Sequence, residues 1–138
     1  MTSLAGKLVL VVEDDAVLAA RTSDMLVDGG ADVVGPAHGW AEALSLVARE
    51  PVDAAVLDLH LADRWTFPLA EAVERSGGAV VFVTGHGVCP RSEIGATPLL
   101  RKPFERADLT AALMTAMTPA EPEVVPVGGA SGAALSAP

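Results

Sequence analysis

With 138 residues and a formal charge of −9, the chain can bury one core without disulfide or metal staples. It carries no basic cluster of the kind that holds a nucleic-acid backbone. Its one cysteine, Cys89, excludes an internal disulfide and fits a reducing cytosol. The run Leu8 to Val12 is too brief for a signal-peptide core, and no stretch approaches the ~20 apolar residues of a membrane helix. The expectation is a cytoplasmic protein that binds neither nucleic acid nor membrane.

Short apolar runs alternate with segments of helical period, the pattern of a parallel sheet covered by helices. Lys7–Val12 is a predicted first strand, apolar as a strand buried on both faces must be. Asp15 suits an N-cap, and Leu18, Met25 and Leu26 follow at helical spacing until Gly29-Gly30 stops the helix. Ala31–Gly35 reads as a second strand ending at Pro36. Trp40, Ala43, Leu44 and Val47 form the stripe of a second helix, with Trp40 expected in the core, and Pro51 closes it. Val52–Leu57 is the third strand and ends on Asp58.

A third helix is predicted from about Pro68 to Ser76, and Gly77-Gly78 turns the chain into a fourth strand, Ala79–Thr84. Gly85–Gly95 has few periodic residues and carries only a weakly marked helix. Pro98–Arg101 is a fifth strand with the proline at its start. Leu109, Leu113 and Met117 mark a last helix by their spacing of four. From Pro119 the chain is Pro, Gly, Ala and Ser with a few valines, a composition that builds no packed element. The division expected is one domain over 1–118 and a tail over 119–138.

Five strands alternating with about five helices predict a doubly wound parallel sheet, whose ligands bind beyond the C-terminal strand ends. Strand one ends at Glu13-Asp14, strand three at Asp58, strand four at Thr84, and strand five delivers Lys102. Each has an ordinary explanation alone, since acids are common at helix starts and a lysine before proline is usually a solvated loop residue. Together they place three acids, a hydroxyl and an ammonium on one rim. Crowded carboxylates repel, and a hard divalent cation with oxygen ligands relieves that repulsion. Such an ion also neutralises a phosphoryl group arriving at an aspartate nucleophile, while Lys and Thr supply donors for its other oxygens.

The stretches Val11-Val12-Glu13-Asp14-Asp15, Val56-Leu57-Asp58-Leu59, Phe82-Val83-Thr84-Gly85 and Arg101-Lys102-Pro103-Phe104 resemble the four landmarks of response-regulator receiver domains. The resemblance spans roughly residues 6 to 117. It implies a flavodoxin-like sheet in the strand order 2-1-3-4-5, with Asp58 as the phosphorylated aspartate and Mg2+ as the cofactor. Asp14 is then the direct metal ligand, and Glu13 acts through water. Thr84 matches the switch hydroxyl and Lys102 the motif lysine, with the Lys102–Pro103 bond cis. His60, two beyond the phosphoacceptor, offers the backbone carbonyl that completes the metal shell. The donor would be a histidine kinase or a histidine phosphotransfer protein. The signal would leave through contacts with an unknown downstream protein, from a monomer or weak dimer with no DNA-binding output domain.

The departures matter as well. Leu99 stands where switching receivers often carry an aromatic residue, and Ala62-Asp63 replaces the usual Pro-Gly. Trp65-Thr66-Phe67-Pro68-Leu69-Ala70 resembles instead a subgroup of stand-alone receivers. Trp65, in a loop beside the site, suits a docking surface if it is exposed. The His60 side chain is expected only to edge the site, His38 and His86 read as loop histidines, and Cys89 as a plain thiol. The alternative function is a receiver-like interaction module indifferent to phosphorylation, although every residue the chemistry needs is present. A metal-dependent phosphohydrolase fits less well, because His60 stands where such enzymes need a second acid. A flavin-binding protein lacks its phosphate loop after strand one. On this reading the chain is a phosphoacceptor and not an enzyme, beyond its own phosphoryl transfer and slow autodephosphorylation.

Overall fold

Strands covered on both faces need continuous aliphatic runs, and three such runs form the middle of this molecule. The computed structural model describes residues 4–85 and 94–118. In chain order the elements are β1 (Leu8–Val12), α1 (Ala16–Asp28), β2 (Asp32–Ala37), α2 (Trp40–Arg49) and β3 (Ala54–Asp58). A two-stranded hairpin of β4 (His60–Leu61) and β5 (Arg64–Trp65) follows, then α3 (Phe67–Arg75), β6 (Ala79–Thr84), β7 (Leu99–Arg101) and α4 (Arg106–Met117). Five strands build one parallel sheet in the order β2-β1-β3-β6-β7. With β6 and β7 as fourth and fifth, this is the expected doubly wound order.

Successive side chains of a strand point to opposite faces, and the core divides accordingly. Leu10, Val12, Ala55, Leu57, Val80 and Phe82 face one way and meet Ala43 of α2 and Leu69 and Val73 of α3. Val9, Val11, Ala54, Val56, Val81 and Val83 face the other and meet Leu26 of α1 and Leu109 and Leu113 of α4. Helices thus cover both faces, and polar residues are left for the strand ends.

Local signals acted where they were expected. The Asp15 carboxylate accepts from the amides of Val17 and Leu18, each at 3.0 Å, and α1 ends at Gly29. The second strand differs: it continues through Pro36 to Ala37 instead of stopping at Gly35. It is an edge strand, where a missing N–H is tolerated, and its register against β1 shifts between Leu10 and Val12. Gly35 there has φ +93°, and a Cβ would lie 2.7 Å from the Ala37 nitrogen, so only glycine fits the irregularity. Trp40 is half-buried, not a full core residue, because its ring sits at the rim under the Arg64 guanidinium, 3.8 Å from its centroid. The hairpin β4–β5 had no sequence signal. Four helices stand among the described residues. Most of the Gly85–Gly95 segment and the whole 119–138 tail lie outside them.

Leu10 is fully buried in the face beneath α2 and α3. Leu10→Ala should lower unfolding stability by about 2–5 kcal/mol, read as a shifted urea midpoint with the denaturant slope unchanged.

Candidate functional site

A parallel sheet delivers the C-terminal ends of its strands to one edge, so residues far apart in sequence meet there. β1 leads into Glu13-Asp14, β3 ends on Asp58, and β6 ends on Thr84, one residue past Val83, which pairs with Asp58. Lys102 follows β7, and its backbone N–H donates to the Thr84 carbonyl at 2.8 Å. The Lys102–Pro103 bond is cis, as expected. The structure therefore brings Glu13, Asp14, Asp58, Thr84 and Lys102 to one rim. His60 stands at the start of β4, its N–H 3.4 Å from Asp58 Oδ1.

Charge dominates the geometry. Lys102 Nζ lies 2.7 Å from Glu13 Oε1 and 3.4 Å from Asp58 Oδ2, and all three residues are largely withdrawn from water. Carboxylate oxygens of Glu13, Asp14 and Asp58 all lie within 4.8 Å of one another, with Asp14 exposed. One ammonium cannot neutralise three such acids. Burial pushes the Glu13 carboxyl up to about 7, and the charge of Asp58 adds to this, against the hydrogen bond from Lys102. Burial also opposes the charge on Lys102. The hydrogen bond to Glu13 and the charges of Asp58 and Glu13 outweigh it, so the ammonium is held above its ordinary 10.5. Hard oxygen donors at this spacing with surplus negative charge fit a Mg2+ or Ca2+ ion.

Two residues of the rim were missed by sequence reading. His38, expected to be an idle loop histidine, holds the backbone before Asp14: its Nδ1–H donates to the Glu13 carbonyl at 3.0 Å. Thr66 is fully buried with its hydroxyl against the Asp58 carbonyl at 2.7 Å. Neither has a local signature, because each bond spans a loop. Trp65 is 42% exposed, which leaves it available as the docking residue expected. It packs edge-on against His60 at 4.8 Å and stacks on Phe67 at 5.8 Å, and Phe67 meets Phe82 at 5.7 Å. The hairpin turn puts Ala62 at φ +55°, a conformation that glycine takes at less cost. Leu99 pairs with Phe82 across the sheet and is half-buried. His86 and Cys89 lie outside the described residues.

A five-stranded parallel sheet in this order, with acids and a lysine on its C-terminal edge, defines the architecture of a signal-receiver domain. The response regulator receiver domain family matches residues 9–114, and the chain belongs to it. The solution structure of SdrG from Sphingomonas melonis Fr1 is similar at 31% identity and a TM-score of 0.69, over 85% of this chain and 98% of that one. A response regulator protein from Burkholderia pseudomallei, crystallised with a phosphorylated aspartic acid, calcium ion and citrate, is similar at 28% identity and a TM-score of 0.68. That match covers 79% of this chain and 67% of that one. The CheY-like receiver domain protein from Methanospirillum hungatei JF-1 shares 25% identity with a TM-score of 0.71, over 82% and 94% of the two chains. No curated protein matches the sequence. Among the described residues no helix is long and apolar enough to cross a membrane.

The folded-state value of Glu13 lies above its unfolded value of 4.5, so the folded chain holds that proton more tightly. Its contribution to stability is complete below pH 4.5 and is lost as pH rises through about 7. In chelator, wild-type protein should lose stability relative to Glu13→Gln between pH 5 and pH 8, measured by urea unfolding at several pH values. Parallel pH curves for the two proteins would show that Glu13 is not the group responsible.

Proposed function

We propose that this chain is a phosphoacceptor response regulator, with Asp58 taking a phosphoryl group from the phosphohistidine of a kinase or a histidine phosphotransfer protein. The observation that carries this reading is Lys102, whose ammonium reaches Asp58 and Glu13 together beside the carboxylate cluster. In the transfer an Asp58 oxygen bonds to phosphorus as the phosphorus–nitrogen bond breaks. The electron pair stays on the donor imidazole, which then takes a proton from solvent. The product is an acyl phosphate.

Glu13, Asp14, Asp58 and the His60 carbonyl would hold Mg2+, whose charge offsets that of the incoming phosphoryl oxygens. The Burkholderia relative, with its phosphorylated aspartic acid and calcium ion, supports the same pairing here. Lys102 keeps the Asp58 carboxylate oriented and offers N–H donors to the phosphoryl oxygens. Thr84, at the adjacent strand end, offers a hydroxyl. The chain performs only its own phosphoryl transfer and slow autodephosphorylation, works in the cytoplasm as a monomer or weak dimer, and signals through protein contacts rather than DNA. A state that binds its partner better when phosphorylated is all the energetics require.

Incubation with acetyl phosphate, followed by separation on a phosphate-affinity gel, tests the chemistry. A retarded band is expected that needs both magnesium and Asp58, and is absent from Asp58→Ala. A band that persists in Asp58→Ala places the phosphate elsewhere. If neither acetyl phosphate nor a beryllofluoride mimic perturbs the protein, an interaction module independent of phosphorylation replaces this reading. On the labelled protein, His60→Asn should change the rate of label loss, because His60 stands two residues past Asp58 with its backbone N–H 3.4 Å from Asp58 Oδ1. An unchanged rate would remove His60 from the mechanism.

A further inference from the structure

A threonine at the start of a helix ordinarily turns its oxygen onto the free N–H groups of the first turn. Thr66 stands at that position before α3 and makes no such cap. Its hydroxyl turns inward instead, 2.7 Å from the Asp58 carbonyl and 3.1 Å from the Leu59 carbonyl. Its backbone N–H donates to the Leu59 carbonyl at 3.0 Å. On the opposite side, the Leu59 N–H donates to the Val83 carbonyl of β6 at 2.8 Å. The peptide that carries Asp58 is thus held from both directions, and Thr66 is 0% exposed. Pro68 in the first turn of α3 has no N–H to satisfy, which reduces the demand on the missing cap. A local rule broken in this way is expected where the residue serves a site.

We propose that Thr66 is a positioning residue for Asp58, its hydroxyl fixing the Asp58–Leu59 peptide and so the direction of the carboxylate toward Lys102. This rests on Asp58 being the phosphoacceptor. A nucleophile displaced by about 1 Å can lose a hundredfold in rate, so a single buried hydrogen bond to its own carbonyl has leverage. The same bond ties the β4–β5 hairpin, and with it Trp65, to the phosphoacceptor.

The test compares wild type, Thr66→Val, Thr66→Ser and the remote core variant Leu113→Ala, all as the full chain, for acetyl phosphate labelling with magnesium. Thr66→Val should label at least about tenfold more slowly, while Thr66→Ser, which keeps the hydroxyl, stays near the wild-type rate. Thr66→Val at the wild-type rate overturns the proposal. So does Thr66→Ser as slow as valine, or Leu113→Ala equally slow at matched stability. The Asp58 carboxyl carbon, read by NMR without any donor, should shift in Thr66→Val and not in Thr66→Ser, and an unmoved resonance is equally fatal. If the valine variant does not fold, the wild-type Thr66 hydroxyl proton decides: slow exchange supports the role and exchange at the solvent rate overturns it. Wild type that takes no label defeats the phosphoacceptor reading instead, and leaves the two NMR measurements to judge Thr66.

Discussion

One ammonium shared between two buried carboxylates organises this site. Lys102 reaches Glu13 at 2.7 Å and Asp58 at 3.4 Å, in surroundings where an unpaired charge costs several kcal/mol. Removing the lysine would leave two buried acids facing each other. Even with it in place, Asp14 joins them within 4.8 Å, so these three acids carry more negative charge than Lys102 neutralises. A site built this way is poised to gain from an arriving cation. Burial first, and the charge of Asp58 after it, hold the Glu13 carboxyl above its ordinary range.

The sheet makes such an arrangement affordable. β1, β3 and β6 are its three central strands, buried along almost their whole length, and each end keeps one backbone tie: the Glu13 N–H to the Ala37 carbonyl, Asp58 paired with Val83, and Thr84 with Arg101. Lys102 is held differently. It follows β7, a short edge strand, and is anchored by its N–H to the Thr84 carbonyl. Glu13 and Asp58 are therefore tied to the sheet, while the lysine is tied to the strand end that carries the hydroxyl.

The segment after Asp58 gives this receiver its individual character. Rings of His60, Trp65, Phe67 and Phe82 run in contact from the surface beside the phosphoacceptor into the sheet. Phe82 pairs with Leu99, the position where an aromatic residue is absent. Thr66 lies within the same segment, its hydroxyl on the Asp58 peptide. The hairpin replaces the Pro-Gly turn with Ala62 at positive φ, a strain that the pairing of His60 with Trp65 and Leu61 with Arg64 must hold in place.

What the sequence determined alone is whatever depends on neighbours in the chain. Continuous aliphatic runs made the central strands legible, since only burial on both faces calls for them, and Ala79–Thr84 was read to its ends. Asp15 as a cap and Gly29-Gly30 as a stop act within one turn, so they too were legible. The four strand-end motifs gave the rim its membership because topology sends all such ends to one edge. The passage of β2 through Pro36 was decided by its edge position, which no local pattern records. Pairing made the β4–β5 hairpin from two-residue strands without turn residues to announce it. Only the tertiary structure could assign His38 to the Glu13 carbonyl and Thr66 to the Asp58 carbonyl. Each is a polar side chain whose partner lies across a loop, and its role exists only once the chain has closed around it.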